Sequence, residues 1–296
     1  MNKILVTGAA GYLGRVLVPY LTEDGLIVKG LDNFMYGQKD EDNEIIVGSI
    51  DSLTDMYKAT KGIDTVIALA AIVGDAVCDV DKEQTVVYNT EATKLLIDAC
   101  EYNGVKKIIY ASSCSVYGES NHTLNETSDT LPLSTYAQSK IASEQIFTER
   151  IKNCEAYLLR FGTLFGHSPR MRFDLVANIM TAMAVIERKI VVYGGNQWRP
   201  MVHITDVAEA IRLCIETDLG VGKCRIYNVV GQNYTVKEMA ERISNQVIKE
   251  IDEVVEVVEK QGKDDFRNYN VSADRIKDEL NFEFTYNIED GVKEMI

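Results

Sequence analysis

The segment Thr7-Gly8-Ala9-Ala10-Gly11-Tyr12-Leu13-Gly14 directly follows the apolar run Lys3–Thr7 and opens a helical pattern over Tyr12–Asp24. Glycines at 8, 11 and 14 let the chain turn tightly, let its backbone approach a pyrophosphate, and let helix and strand pack closely. The helix N-terminus behind them presents unpaired N–H groups to anionic phosphates. A glycine triplet alone fits any tight strand–helix turn, so its surroundings carry the argument. Asp32 closes the next strand, Leu26–Asp32, 18 residues after Gly14. A carboxylate there accepts hydrogen bonds from both adenosine ribose hydroxyls and repels a 2′-phosphate, so NAD is expected rather than NADP. Asn33 follows, where an arginine would have favoured NADP.

Outward from this turn, β-rich runs alternate with helical patterns. Strands are expected at Glu44–Val47, Asp64–Ala68, Lys106–Ala111 and Glu155–Arg160, with helices over Lys82–Tyr102 and Tyr136–Lys152. Continuous apolar strands in such alternation mean parallel β buried on both faces, hence an α/β fold with a doubly wound parallel, Rossmann-type sheet. After Arg160 the rhythm loosens. Helices are expected over Asp174–Arg188, Thr205–Glu216 and from Val236, and strands at Ile190–Tyr193, Arg225–Val229 and near Val254–Val258. The expected division is a dinucleotide-binding domain over residues 1–167, to which 201–229 returns, and a smaller C-terminal substrate-binding lid from 168–200 and 230–296. Pro19, inside the first helix, should kink it.

Composition narrows the partners. The 296 residues are 46% hydrophobic and carry a formal charge of −14. That charge argues against nucleic acid and anionic membrane, which both need a basic surface. No apolar run reaches the roughly 18 residues of a membrane span. The start of the chain lacks a signal peptide's apolar core, and the six cysteines show no C-x-x-C pair, so a cytoplasmic location is expected. His122, His167 and His203 show no metal spacing, and no metal is expected; His203 reads as structural. Tyr193 and Trp198 flank a Gly194-Gly195 turn and read as lid packing, and the charged pattern over 237–265 as a solvated face.

Tyr136-Ala-Gln-Ser-Lys140 places a phenol and an ammonium one turn apart on one helix face. The strand before it runs into Ala111-Ser112-Ser113-Cys114-Ser115-Val116-Tyr117-Gly118, at the sheet end where α/β folds bind ligands. A phenol acting as a base near neutral pH needs its pKa lowered by about 3 units, or roughly 4 kcal/mol. A lysine ammonium and a cationic nicotinamide together could supply this in a closed cleft. A serine hydroxyl would polarise the same substrate oxygen.

With these motifs in place, the chain resembles the extended short-chain dehydrogenases/reductases, in particular the NAD-dependent nucleotide-sugar epimerase/dehydratase family that includes UDP-glucose 4-epimerase-like proteins. Beyond the segments quoted above, the resemblance rests on Leu69-Ala70-Ala71, Asn89, Arg160-Phe-Gly-Thr-Leu-Phe-Gly166 and Arg199-Pro-Met-Val-His-Ile-Thr-Asp206, and it covers nearly the whole chain. It implies Tyr136 as acid/base, Lys140 on the nicotinamide ribose, and Ser113 as the catalytic hydroxyl. It implies a cofactor site of Gly8, Gly11, Tyr12, Leu13, Gly14, Asp32, Asn33, Ser49, Ile50, Leu69, Ala70, Ala71, Asn89, Tyr136 and Lys140. Substrate contacts are expected from Ser113, Tyr136, Arg170, Arg172, Arg199 and Arg267, the arginines suiting a diphosphate. The family usually pairs its long helices, so a homodimer is expected.

Two positions depart from the family pattern. The 4,6-dehydratases carry Asp-Glu where this chain has Cys114-Ser115, which argues against dehydration. Thr163 replaces an asparagine that often helps hold the nucleotide sugar. The activity expected is NAD-dependent epimerisation of a nucleotide-diphosphate sugar at C4 through a 4-keto intermediate. The alternative is a net 4-dehydrogenase or 4-keto-sugar reductase, since the same Ser–Tyr–Lys set serves both. A 4,6-dehydratase and a non-enzymatic dinucleotide sensor rank below these.

Overall fold

A computed structural model describes residues 2–36, 45–260 and 267–296. The strands, in chain order, are β1 (Lys3–Thr7), β2 (Ile27–Asp32), β3 (Ile45–Val47), β4 (Thr65–Ala68), β5 (Lys107–Ser113), β6 (Thr123–Leu124) and β7 (Glu155–Phe161). They continue with β8 (Thr163–Phe165), β9 (Lys189–Tyr193), β10 (Trp198–His203), β11 (Cys224–Val229), β12 (Gln232–Thr235), β13 (Glu256–Lys260) and β14 (Asn270–Val271). The helices are α1 (Gly14–Glu23, enclosing Pro19), α2 (Leu53–Ala59), α3 (Asp75–Val80), α4 (Lys82–Val86), α5 (Ala92–Asn103) and α6 (Thr135–Arg150). They are followed by α7 (Val176–Glu187), α8 (Ile204–Glu216), α9 (Val236–Ile251), α10 (Asp274–Leu280) and α11 (Ile288–Met295). Glu44, expected to start the third strand, and residues 261–265 of the expected solvated face lie outside the described residues.

The central sheet has seven strands in the order β11-β7-β5-β4-β1-β2-β3. Every pairing in it is parallel, the doubly wound sheet expected. Strand polarity of side chains explains its two cores. Ile4 and Val6 of β1 point to one face, where they join Leu17 and Leu21 of α1 and Val207 and Ile211 of α8. Leu5, between them, points to the other, with Met56 of α2, Leu96 and Ile97 of α5 and Phe147 of α6. The chain winds from β1 to one edge and from β4 to the other. The C-terminal ends of β1 and β4 therefore flank the switch point, where such sheets open a ligand crevice.

Three small sheets stand apart from the main one: β12-β10-β8, β13-β9 and β14-β6. A third core joins Met180 and Ala184 of α7, Ile243 and Val247 of α9, Val292 of α11 and Ile190 and Val192 of β9. Of the segment 201–229 expected in the main sheet, β11 does pair there, on β7. Met201–His203 does not. It pairs with Thr163–Phe165 of β8, because a short apolar run carries no information about which strand it will meet. The single helix expected over Lys82–Tyr102 is α4 and α5 joined by a π-turn at Val87–Glu91. Such a turn holds one residue more than an α-helical turn, and π-turns recur at functional sites. Here it carries Asn89, buried, toward α6.

Candidate active site

The glycine turn wraps the end of β1. Gly8 has φ +74°, and a Cβ there would stand 2.8 Å from the backbone nitrogen of Ala70. Only glycine allows both that dihedral and that approach of the β1 and β4 ends. A Cβ on Gly14 would collide with the Gly8 carbonyl. Leu13 leaves the N-terminus of α1 with no side-chain cap, and no acidic residue occupies its first turn. Those N–H groups thus face the crevice with neither a side chain nor a negative charge in the way, which fits a pyrophosphate. The Asp32 carboxylate accepts from the Ala10 amide at 2.9 Å and from the Phe34 amide at 2.7 Å. It holds the turn in place and keeps lone pairs for further donors.

A cavity of about 1090 Å³ opens over this turn. Gly8, Gly11, Tyr12, Leu13, Gly14, Asp32, Asn33, Ile50, Leu69, Ala70 and Ala71 line it, as do Ser113, Tyr136, Lys140, Arg170, Arg172, Arg199 and Arg267. Ser49 and Asn89 do not. The Ser49 hydroxyl is turned to Asp51. Asn89 spends its amide on the Ile72 N–H at 2.9 Å, the Ile72 carbonyl at 2.9 Å and Ser139 Oγ at 3.1 Å. It therefore pins the loop after β4 to α6 from behind the cavity wall. The Tyr12 hydroxyl is also committed, donating to the Gly166 carbonyl at 2.6 Å and accepting from Asn178 at 3.1 Å.

Ser113 ends β5, and the N-cap of α6 is Ser134, whose hydroxyl accepts from Ala137 N. This cap starts the helix so that Tyr136 and Lys140 face the sheet end. Tyr136 and Ser113 line the same cavity, with Ser113 close enough to draw the Tyr136 pKa down, and Lys140 Nζ lies 5.5 Å from the centre of the Tyr136 ring. Lys140 is buried and donates to the Ala111 carbonyl at 2.7 Å. Burial pushes the Tyr136 phenol above its ordinary value of 10.0, and the Lys140 charge opposes that rise. Lysine alone therefore does not make the phenol a neutral-pH base in this structure. The shift expected from sequence needs a further positive charge in the cavity.

Cys114 is buried, donates to the Arg160 carbonyl at 3.2 Å, and has its thiol pushed up by burial. Ser115 lines the cavity, and its enclosed hydroxyl has no hydrogen-bond partner among the described residues. Neither supplies a carboxyl acid/base pair. The four arginines do not form one group. Arg199 donates to the Arg267 carbonyl, and Arg267 reaches Asp75 at 3.2 Å. Arg172 pairs with Asp174. Arg170 instead donates to the Tyr36 carbonyl at 3.2 Å and stands over the Tyr36 ring, beside the segment that follows Asp32. Tyr193, expected in lid packing, is 54% exposed and lines the cavity. His203 is buried, 3.0 Å from Glu294 and stacked on Tyr286. No group of residues that could hold a metal occurs among those described.

A doubly wound sheet with a glycine turn, a carboxylate after its second strand and a Ser–Tyr–Lys set in one crevice defines an extended short-chain dehydrogenase/reductase. Residues 4–231 match the NAD dependent epimerase/dehydratase family, and the chain belongs to that family. A UDP-glucose 4-epimerase from Corynebacterium glutamicum is 28% identical, the match covering 81% of this chain and 78% of that protein. A UDP-N-acetyl-alpha-D-glucosaminuronate decarboxylase from Bacillus cytotoxicus is 25% identical, covering 100% of this chain and 97% of that protein. Among solved structures, MoeE5 in complex with UDP-glucuronic acid and NAD superposes with TM-score 0.85 at 26% identity, covering 99% of this chain and 97% of that one. Relatives thus share the fold and differ in reaction. In the described residues no helix is long and apolar enough to cross a membrane.

Proposed function

We propose that this protein is an NAD-dependent epimerase of a nucleotide-diphosphate sugar, acting at C4. The observation that carries the proposal is the meeting of Ser113, Tyr136 and Lys140 in the cavity that the glycine turn and Asp32 also line. NAD would lie with its pyrophosphate at the N-terminus of α1, its adenosine ribose on Asp32 and its nicotinamide ribose on Lys140. When bound, it supplies the acceptor and later donor of the C4 hydride, and its cationic ring is the further positive charge that Tyr136 needs.

Tyr136 takes the proton of the sugar C4 hydroxyl and returns it when the 4-keto intermediate is reduced on the opposite face. Ser113 donates to the same oxygen as its charge develops. Arg199 and Arg267 grip the diphosphate, and the sugar swings about that anchor. Arg172 stands close enough for its charge to act on Tyr136, so it serves the sugar end. Cys114 and Ser115 at the dehydratase acid positions favour epimerisation over elimination. The same reading takes 168–200 and 230–296 as a substrate lid over a dinucleotide-binding domain, with a homodimer and a cytoplasmic location.

The test is a panel of UDP-, GDP-, CDP- and dTDP-sugars with NAD, followed by absorbance and product NMR. Inversion at C4 without net NADH supports the proposal. Stoichiometric NADH would replace it with a 4-dehydrogenase.

A further inference from the structure

Glu144 and Arg160 form an ion pair with both side chains only 5% exposed. Neither lines the cavity, and the reaction proposed above uses neither. Arg160 Nε and Nη2 grip the carboxylate at 3.0 and 2.6 Å, a bidentate contact. A buried pair of this kind adds little net stability, because both charges lose their water. Its value lies in what it holds fixed.

The pair touches every element that carries the Ser–Tyr–Lys set. Glu144 is two turns after Tyr136 and one after Lys140 on the same face of α6. Its carboxylate also accepts from Ser112 Oγ at 2.5 Å, the residue before Ser113. Arg160, on β7, accepts through its carbonyl from Cys114, the residue after Ser113. Its Nη1 donates at 2.9 Å to the hydroxyl of Tyr117, in the short 3₁₀ turn that follows β5. Ser113 is thus clamped on both chain neighbours by groups that are themselves joined to the helix bearing Tyr136.

We infer that the Glu144–Arg160 pair is the positioning element of the site, setting the register of α6 against β5 so that Ser113 and Tyr136 converge on one substrate oxygen. This rests on the reaction proposed above. Both are positioning residues that act through Ser112, Cys114 and α6 and do not touch the substrate. A slip of α6 by a fraction of an ångström would leave the glycine turn and the arginines in place while separating the two hydroxyls.

The test is Glu144→Gln/Arg160→Met, which removes both charges together and strands neither, with wild-type protein on the same sugar-nucleotide panel. NAD affinity and KM should stay within about threefold, while kcat per NAD-binding site falls roughly tenfold to a hundredfold. A structural role alone would lower Tm and the number of NAD-binding sites and leave kcat per site intact. A second readout needs no turnover. The ¹³Cζ resonance of Tyr136, assigned with Tyr136→Phe, is titrated in the NAD-bound protein. Lys140 on α6, Tyr110 on β5 and Arg172 from the loop before α7 are the charged or titratable groups that act on it. A slip of α6 carries Lys140 along with Tyr136 but draws the phenol away from Ser113 on β5, so the midpoint should rise by about half a pH unit. A kcat per site within threefold of wild type, or an unmoved midpoint, overturns the inference. Should the double variant not fold, Arg160→Lys keeps the charge, loses the bidentate grip and faces the same two criteria. A wild type inactive on the whole panel refutes the epimerase proposal, while the titration still decides the clamp.

Discussion

Lys140→Met removes one buried charge and little volume. The ammonium lies 5.5 Å from the centre of the Tyr136 ring. At an effective dielectric of about 20, two unit charges at that separation interact by ~3 kcal/mol, equivalent to ~2 pH units. The sign follows from the phenol being neutral when protonated: a nearby cation favours phenolate, so its removal raises the pKa. Burial already holds the phenol above 10.0, and the variant loses the main opposing charge. The ascending limb of kcat against pH should move up by ~2 units, and kcat at neutral pH should fall by about a hundredfold where that limb is controlling. The assay is the full pH profile of kcat at saturating NAD for wild type and variant, with NAD affinity measured separately by titration. Weaker NAD binding is expected as well, since the proposed ribose contact is lost. A limb that stays in place while kcat falls uniformly would refute the electrostatic coupling and leave Lys140 as a cofactor ligand alone.

Further outcomes can be checked directly. Tyr136→Phe should retain binding of NAD and sugar nucleotide while kcat drops by about 10²–10⁴, and near-normal turnover would reassign the acid/base. Asp32→Ala should weaken NAD far more than NADP in titrations and also lower Tm, because the Ala10 and Phe34 amides lose their acceptor; a wild type preferring NADP would contradict the ribose assignment. Arg199→Ala or Arg267→Ala should raise KM for the sugar nucleotide by roughly tenfold to a hundredfold, matching ~1.5–3 kcal/mol for a lost charge-assisted bond, with NAD affinity little changed. Burial lowers the His203 pKa below 6.5 in the folded protein. The unfolded chain therefore binds the extra proton first, and stability should fall as pH drops below 6.5. In denaturant titrations His203→Gln should flatten that slope, and an unchanged slope would exclude His203 as its source.

Local chemistry was enough to read part of this protein. A strand followed by three spaced glycines leaves the backbone few alternatives, and a carboxylate at the end of the next parallel strand must emerge at the same sheet end. Tyr136 and Lys140 share a helix face by spacing alone. The doubly wound sheet, and the glycine turn, Asp32, Tyr136 and Lys140 in the cavity wall, follow from such short-range rules. What depends on contacts between distant segments was not legible. Asn89 carries the right side chain in the right region, but a π-turn and the Ile72 loop spend its amide inside the wall. Arg170, close to Arg172 in sequence, is drawn away to Tyr36. The strand at Met201–His203 took β8 as its partner, and nothing in its apolar pattern named one. The Glu144–Arg160 pair spans 16 residues and two elements, and each partner alone reads as an ordinary charged residue. Periodicity reports which face a residue occupies, whereas pairing, register and the fate of each polar group depend on which other segment packs there, and only the folded chain brings those segments together.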